Sequence, residues 1–344
     1  MGIKRNRRKR KWTQKGMDRN MKESADVTVV IPNYNGIKYV DGCLKSLYGG
    51  SKVPKVIMVD NGSTDGSVEL VKKNYPMCKI VRFPENKGFC RAVNEGIRLA
   101  DTAYVILLNN DTVVDKEFVR CLWKAIRKRA DAFSISAKML SLQNPEIIDD
   151  AGDLYCSLGW AFARGKGKGR GAYSRSSEIF AACAGAAIYR KSIFDIIGYF
   201  DENHFAYLED IDIGYRAKIS GFRNYFEPGA VVLHAGSAVS GSRYNQFKVM
   251  LSSKNSMYLI YKNMPFFQIL LNLDFLIAGI LIKAAFFAKK GLGGTYAKGI
   301  GEGIRLCLSE EGRKQKVHFR PECMQNYVRI QLELWANMLR RIVD

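Results

Sequence analysis

The sequence is short of the residues that build metal clusters and disulfide frameworks. It contains three His and eight Cys in 344 residues, and no two Cys have the Cys-x-x-Cys spacing. Structural zinc sites need such pairs or closely spaced His and Cys ligands, so the pattern excludes a zinc-binding module. We expect the cysteines to be reduced and to lie in the core.

Acidic residues are also scarce. The chain has 33 Asp and Glu against 54 Lys and Arg, a formal net charge of +21. Such an excess favours anionic partners, namely phosphorylated substrates, an anionic membrane surface or nucleic acid. Residues 1–24 are basic and no apolar stretch follows them, so we expect a disordered arm, no signal peptide and a cytoplasmic catalytic part. Weak attraction of this arm to lipid headgroups is favoured over binding of nucleic acid.

Four apolar runs alternate with segments of helical periodicity. The runs occupy residues 27–31, 55–59, 79–83 and 103–108. Repeated units of this length predict an α/β fold with a mostly parallel sheet flanked by helices.

Polar residues follow each run, at 32–35, 60–61, 86–88 and 109–111. Any one of them fits an ordinary turn. In open α/β sheets, however, ligands bind at the carboxyl ends of the strands. The four polar ends together therefore predict a ligand site at one edge of the sheet.

Three carboxylates fall within four residues, at Glu209, Asp210 and Asp212, and His234 follows. Carboxylates this close repel one another, and the pKa of at least one of them rises unless a cation compensates. The cluster predicts either a functional site or an acidic helix start that suits the helix dipole. The local sequence leaves both open.

Residues 164–171 alternate Arg or Lys with Gly. This composition favours a mobile basic surface loop, and a lid over a phosphorylated substrate is the alternative.

Seven ordered motifs resemble those of the family 2 glycosyltransferases with the GT-A fold, particularly the rhamnosyltransferase-like branch. They are VVIPNYN at 29–35, VDNGSTDGS at 59–67, NKGFCRAVNEG at 86–96, LLNNDT at 107–112, GYFDE at 198–202, LEDIDIGYR at 208–216 and the late His234. The resemblance extends over residues 27–265. It implies an inverting transferase that uses a dTDP- or UDP-linked sugar, with rhamnose favoured, in surface polysaccharide synthesis.

The resemblance also implies where the nucleotide binds. Seven residues would lie along it: Pro32, Tyr34, Asp60, Asn86, Gly88, Arg91 and Asn110. Pro32 and Tyr34 would frame the base, and Asp60 would accept a hydrogen bond from the base N3–H that uracil and thymine carry.

By the same resemblance, Asp111 would bind Mg²⁺ or Mn²⁺, which prefer oxygen ligands and neutralise charge on a leaving diphosphate. The usual Asp-x-Asp is replaced here by Asn109-Asn110-Asp111, so one carboxylate is missing. His234 would then be the second ligand. The loss of a carboxylate leaves open a non-catalytic glycan-binding relative, and the basic charge leaves open a nucleic-acid-binding protein.

The resemblance makes Asp210 the general base that removes the proton of the acceptor hydroxyl. Glu209 and Asp212 would orient it, contact the acceptor or hold the helix. Arg216 has the i, i+4 spacing to pair with Asp212.

We expect three regions: the arm at 1–24, a glycosyltransferase domain at 25–262 and a helical extension at 263–344. Residues 266–288 are long enough to span a bilayer, but Asp274 and Lys283 lie among them. We therefore expect an interfacial or re-entrant amphipathic helix on the inner face of the cell membrane, beside a lipid-linked glycan acceptor, with a buried helix as the alternative. An apolar stripe follows near the end, and docking within the monomer is expected for it, with homo-oligomer formation as the alternative. Its members are Val328, Leu332, Trp335, Leu339 and Ile342.

Overall fold

The computed structural model describes residues 26–236 and 244–343. The predicted basic arm at 1–24 lies outside the described residues.

The first half of the fold is built from the predicted strand and helix units. Buried β-branched runs form the strands, and amphipathic segments form the helices that cover them. The elements in chain order are β1 (Val27–Asn33), α1 (Val40–Tyr48), β2 (Lys55–Asp60), α2 (Ser67–Asn74), β3 (Lys79–Arg82), α3 (Phe89–Leu99) and β4 (Tyr104–Leu108). β1 is parallel to both β2 and β4, and β2 is parallel to β3. The carboxyl ends of these four strands therefore share one edge of the sheet.

The second half of the sheet is mixed. Its elements are β5 (Thr112–Val114), α4 (Phe118–Arg127), β6 (Ala132–Ser141), β7 (Ile148–Asp150), β8 (Asp153–Cys156), β9 (Trp160–Ala163), β10 (Ser177–Ile179), β11 (Ala186–Arg190), α5 (Lys191–Ile197), a 3-10 turn (Glu202–His204), α6 (Glu209–Ile219) and β12 (Arg223–His234). β11 lies antiparallel between β4 and β6, and β12 is parallel to β6. The predicted α/β sheet flanked by helices is confirmed. Its antiparallel part arises because the chain between β6 and β11, all of it described, contains no helix to form a parallel crossover.

Both faces of the sheet are covered. Successive side chains of a strand point to opposite faces, so Val29 and Met58 belong to one buried cluster while Val30 and Ile57 belong to the other. Helices α1, α2 and α4 cover the first face, and α3, α5 and α6 cover the second.

The C-terminal part is helical. It contains α7 (Gln246–Asn263), α8 (Phe266–Leu271), α9 (Leu273–Lys289), α10 (Gly293–Leu308), α11 (Glu310–Lys314), a 3-10 turn (Pro321–Cys323) and α12 (Met324–Val343). The single helix predicted over 266–288 is divided at Asn272, whose buried side chain exchanges hydrogen bonds with Gln331 at 2.9 and 2.8 Å. Among the described helices, none is both long enough and apolar enough to cross a bilayer.

Helix α12 packs on the protein through a different stripe from the predicted one. Tyr327, Ile330 and Leu334 are almost fully buried. Four residues of the predicted stripe are between 37% and 63% exposed: Val328, Leu332, Trp335 and Leu339. The expectation that this stripe docks within the monomer is therefore wrong.

The basic glycine-rich segment is a turn bonded to β7 and not a free loop. Gly167 N donates to Ile148 O at 2.9 Å, and Ile148 N donates to Lys168 O at 2.8 Å. Farther along, the buried Lys138 Nζ donates to the carbonyls of Arg170 and Ala172 at 2.8 Å each. These bonds hold residues 167–172 against the sheet.

Candidate active site

The carboxyl ends of β1, β2 and β4 meet around one amide side chain. Asn33 Nδ2 lies 3.0 Å from Asp60 Oδ1 and 2.9 Å from Ser67 Oγ, and Asn33 Oδ1 accepts from Asn110 Nδ2 at 2.7 Å. A Cβ on Gly36 would lie 2.1 Å from Asn110 Nδ2, so only glycine allows this close approach. Asn33 therefore links the predicted base-binding and metal-binding segments.

Asp60 is fully buried. Besides the bond from Asn33, its carboxylate accepts from Ser63 N at 3.2 Å and lies 3.5 Å from Arg82 Nε. Tyr34 is 40% exposed, and Pro32 is half-buried. The base-binding roles of these three residues stay predictions.

The turn after β3 is organised by Asn61. Its Nδ2 donates to Asn86 Oδ1 at 2.9 Å and to Gly88 O at 3.0 Å, and Asn86 Oδ1 also accepts from Gly88 N. Gly88 has a φ of +86°, and a Cβ there would lie 2.7 Å from the Phe205 ring. Arg91 Nη1 is paired with Glu202 Oε2 at 2.9 Å, and its role along the nucleotide stays a prediction.

Asp111 and His234 are brought together by the pairing of β5 with β12. Thr112 is the register partner of His234, and Ala235 N donates to Asp111 O at 3.0 Å. As a result His234 Nε2 lies 3.4 Å from Asp111 Oδ1, while His234 Nδ1 lies 2.7 Å from Asp149 Oδ2. Burial lowers the pKa of His234, but the bonds to Asp111 and Asp149 outweigh it and raise the pKa to about 9.

This pair fits a divalent cation. Two ligand atoms that are each about 2.1 Å from one octahedral ion and adjacent to one another lie about 3 Å apart. The 3.4 Å between His234 Nε2 and Asp111 Oδ1 is close to that distance. A carboxylate oxygen and an imidazole nitrogen also suit Mn²⁺.

Asp212 is a structural anchor. It is fully buried and accepts from Arg216 Nη2 at 2.7 Å, Asn263 Nδ2 at 2.8 Å and Lys262 Nζ at 3.0 Å. Burial opposes ionisation, but Arg216 and Lys262 outweigh it and hold the pKa of Asp212 well below its usual range. Asp212 thus ties α6 to α7.

Asp210 has the opposite environment. Its Oδ1 accepts from Ala184 N at 3.0 Å. Burial, followed by the charge of Glu209, raises the pKa of Asp210 well above the usual carboxyl value, and Asp150 adds to the effect. Glu209 Oε2 is buried and has no hydrogen-bond partner within residues 26–236 and 244–343, and burial is also the main reason why the pKa of Glu209 rises to about 7.

Asp210 is linked to Asp111 through the chain that enters β11. Ala184 donates to Asp210, and the next residue, Gly185, accepts through its carbonyl from Asn109 N at 2.9 Å. Two hydrogen bonds and the two residues Ala184 and Gly185 therefore connect the carboxyl with the raised pKa to the predicted metal-binding segment.

The loop before α6 is strained. Phe205, Tyr207 and Leu208 have φ values of +62°, +71° and +67°, which cost free energy in residues other than glycine. Asn255 Nδ2 of α7 holds this loop by donating to the carbonyls of His204, Ala206 and Tyr207 at 2.7 to 2.9 Å.

Sequence reasoning missed several residues that shape the site. Asp149, Asp150, Asn255 and Lys262 stand far from the motifs, and only the sheet and helix packing brings them near. The adjacent acids Asp149 and Asp150 are the one feature of the sequence that could have indicated these residues. Asp150, Asp153 and Cys183 place ligand atoms within 4.8 Å of one another, and Gly152 N donates to Asp150 Oδ1 at 2.5 Å.

Comparison with known proteins finds glycosyltransferases that are similar to this chain. The family model "Glycosyl transferase family 2" matches residues 28–198, which include Asp60 and Asp111 but not Asp210 or His234. The chain is 27% identical over 234 residues to the N-acetylglucosaminyl-diphospho-decaprenol L-rhamnosyltransferase of Mycobacterium tuberculosis, covering 60% of this chain and 75% of that protein. It is 25% identical over 219 residues to the poly-beta-1,6-N-acetyl-D-glucosamine synthase of Staphylococcus aureus, covering 62% of this chain and 51%, about half, of that protein.

Solved structures share the fold. S. aureus TarS in complex with UDP-GlcNAc aligns with a TM-score of 0.56 at 17% identity, over 90% of this chain and 89% of that chain. The mannosyltransferase PcManGT from Pyrobaculum calidifontis, in complex with GDP-Man and Mn²⁺, gives 0.51 at 16% identity, over 90% and 84%. Together with the family model and the curated relatives, these likenesses lead to one conclusion: the chain belongs to glycosyl transferase family 2 and is a glycosyltransferase with the GT-A fold.

Proposed function

We propose that the protein is an inverting, metal-dependent glycosyltransferase that moves a sugar from a dTDP- or UDP-linked donor to a lipid-linked glycan acceptor at the inner face of the cell membrane. The observation that carries the proposal is the two-bond link between Asp210 and Asn109-Asn110-Asp111. It joins a carboxyl with a raised pKa to the segment that would hold the donor's diphosphate.

In this reaction Asp210 is the general base. The raised pKa of its carboxyl makes it a better proton acceptor for the attacking hydroxyl than an ordinary aspartate. Asp111 and His234 would hold Mg²⁺ or Mn²⁺, which supplies positive charge for the leaving diphosphate. Asp212 fixes α6, and the Asn255 bonds to the strained loop orient the start of that helix.

The donor is proposed from two supports. The mycobacterial relative is named as a rhamnosyltransferase, and S. aureus TarS has been solved with UDP-GlcNAc. Asp60, with Asn33 and Ser63 fixing its carboxylate, would select uracil or thymine over cytosine through N3–H. We favour dTDP-rhamnose, with UDP-sugars as the alternative, and surface polysaccharide synthesis as the setting.

The functional test is a panel of nucleotide sugars with and without Mn²⁺. Thermal unfolding reports binding, because a ligand that binds the native state raises its melting temperature. Nucleotide release without acceptor reports slow donor hydrolysis by the same base. We expect a dTDP- or UDP-sugar to give both signals with Mn²⁺. A chain that binds glycans but neither binds nor hydrolyses any donor would be a non-catalytic relative.

Membrane association is proposed from the C-terminal helices. Large apolar side chains are exposed on α8, α9, α10 and α12, including Phe266 at 80% and Leu281 at 63%. Residues 266–344 carry 12 Lys and Arg against 7 Asp and Glu. Exposed apolar patches mark interaction surfaces, and basic neighbours favour an anionic lipid surface over a neutral partner.

Vesicle flotation tests this part of the proposal. A Val328→Ser/Leu332→Ser/Leu339→Ser variant should lose binding to anionic vesicles, while Ile196→Ser, equally exposed at 63% but on α5, should keep it. If the triple variant floats with vesicles as the wild type does but loses a dimer seen by sedimentation, the stripe serves self-association and the membrane role of α12 is wrong.

A further inference from the structure

The two carboxylate oxygens of Asp149 have different partners. Oδ2 lies 2.7 Å from His234 Nδ1, and Oδ1 lies 2.5 Å from Lys166 Nζ. The far nitrogen of the same imidazole, Nε2, lies 3.4 Å from Asp111 Oδ1. A chain of contacts therefore runs from Lys166 through Asp149 and His234 to Asp111.

Lys166 is held in place by the turn that carries it. The flanking Gly165 and Gly167 have φ values of +72° and +87°, which glycine adopts without strain. The backbone bonds between this turn and Ile148 fix it beside Asp149. Because of this turn, the contact of Lys166 with Asp149 has a more defined geometry than the contacts of a typical surface lysine. Lys166 is half-exposed, so the contact contributes little to the free energy of folding.

A carboxylate can only accept hydrogen bonds, and this decides which tautomer the ring adopts when it loses a proton, as it must to bind a cation. A neutral imidazole carries one N–H, and that N–H must be on Nδ1 if it is to bond to Asp149. The lone pair is then on Nε2, which faces Asp111. Partners of the second ring nitrogen generally fix the orientation and tautomer of a metal-binding His.

We propose that Asp149, held by Lys166, is a positioning residue that keeps His234 in the tautomer able to bind the cation. This inference rests on the proposed metal dependence. It also assigns a role to the basic turn at residues 164–171, which belongs neither to the seven motifs nor to the predicted metal ligands.

Lys166 determines how an Asp149→Asn substitution would affect the imidazole of His234. An Asn at position 149 has one oxygen and one NH₂ group, and it has two neighbours that compete for the oxygen. The ammonium group of Lys166 can only donate, so it takes the oxygen and leaves the NH₂ group facing His234 Nδ1. The ring must then accept at Nδ1 and carry its proton on Nε2, where it blocks the cation.

Removal of the lysine reverses this outcome. In an Asp149→Asn/Lys166→Met protein the amide is free to rotate and present its oxygen to Nδ1–H. The second substitution should therefore repair the damage caused by the first. A residue that merely packs would give additive effects in the two variants.

The experiment measures Mn²⁺ affinity in the full chain with UDP present, from the electron paramagnetic resonance signal of free Mn²⁺. Asp149→Asn should weaken Mn²⁺ binding by about 10- to 100-fold, the range found for outer partners of metal ligands. Lys166→Met alone should change it by less than about 3-fold, and the double variant should return to within about 3-fold of Lys166→Met. UDP affinity without Mn²⁺ should be equal in all four proteins, which shows that each is folded.

Two results would overturn the inference alone: Asp149→Asn binding Mn²⁺ as the wild type does, or a double variant as weak as Asp149→Asn. A wild type that binds UDP but no Mn²⁺ would instead refute the proposed metal dependence, and the inference with it. A fold lost in Asp149→Asn but restored in the double variant would still support competition for the amide oxygen.

Discussion

Asp212 and Asp210 provide a matched pair of substitutions, because Asp→Asn is the same chemical change two residues apart on α6. In Asp212→Asn the buried Arg216 and Lys262 lose their shared carboxylate, although Lys262 keeps Asp201 at 2.8 Å. Breaking one side of a buried ion pair costs about 3 to 5 kcal/mol. For a chain of 344 residues that corresponds to a fall in melting temperature of about 4 to 7 °C.

Asp210→Asn should behave differently. An amide oxygen can still accept from Ala184 N, and the substitution removes a negative charge that is opposed by burial and by Glu209. We expect the free energy of unfolding to rise at pH 7.5, because the substitution removes a carboxyl whose raised folded-state pKa destabilises the folded protein at that pH.

Thermal unfolding of the two variants at pH 7.5, with nucleotide binding as a check on the fold, measures both effects. The assignment of Asp212 as anchor and Asp210 as base would be refuted if Asp210→Asn were the strongly destabilised protein, or if Asp212→Asn unfolded at the wild-type temperature.

Three further predictions follow from the same site. The pKa of Glu209 is about 7 in the folded protein against an ordinary 4.5, so the unfolded chain loses this proton at a lower pH. The free energy of unfolding should therefore fall as pH rises from about 4.5 to 7, by up to about 3 kcal/mol. Glu209→Gln should remove that fall, as measured by denaturant unfolding across this pH range. The transfer rate should rise with pH through an apparent pKa above that of an ordinary carboxyl, and this pKa belongs to the Glu209 and Asp210 pair; a pH–rate profile that is flat above pH 5 would contradict it. Asn255→Ala should lower kcat more than it changes KM for the donor, because it releases the strained loop that orients the start of α6 and with it Asp210, and steady-state kinetics separate the two.

The first half of the fold could be predicted because its signals are local. Each strand is a buried apolar run followed by a polar end, and parallel order then places those ends at one edge. The i, i+4 pair of Arg216 with Asp212 was predictable for the same reason and is observed at 2.7 Å.

What the sequence could not provide comes from long-range packing. Lys262 lies 50 residues from Asp212, and Asp149 lies 85 residues from His234, so no spacing rule connects them. The buried Asn272, where the predicted helix is divided, bonds to Gln331, which lies 59 residues away. The predicted stripe on α12 has the periodicity of a buried seam. The adjacent face, with Tyr327, Ile330 and Leu334, packs on the core instead and leaves the predicted stripe more exposed.

The three acids that open α6 now have separate environments. Asp212 accepts from two cations and an amide, Asp210 is linked to the predicted metal-binding segment, and Glu209 is buried with one oxygen that has no hydrogen-bond partner among the described residues. The simple choice between a functional cluster and an acidic helix start therefore does not apply, because one acid is a structural anchor and another has the raised pKa expected of the proposed base.

The most direct test of the account is the rate of Mn²⁺-dependent sugar release from the donor that binds best, measured for wild type and Asp210→Asn. We expect the variant to bind donor and Mn²⁺ with wild-type affinity but to lose about 10²- to 10⁴-fold in rate, the usual contribution of a general base. An Asp210→Asn protein that binds the donor and releases sugar at the wild-type rate would contradict the central claim.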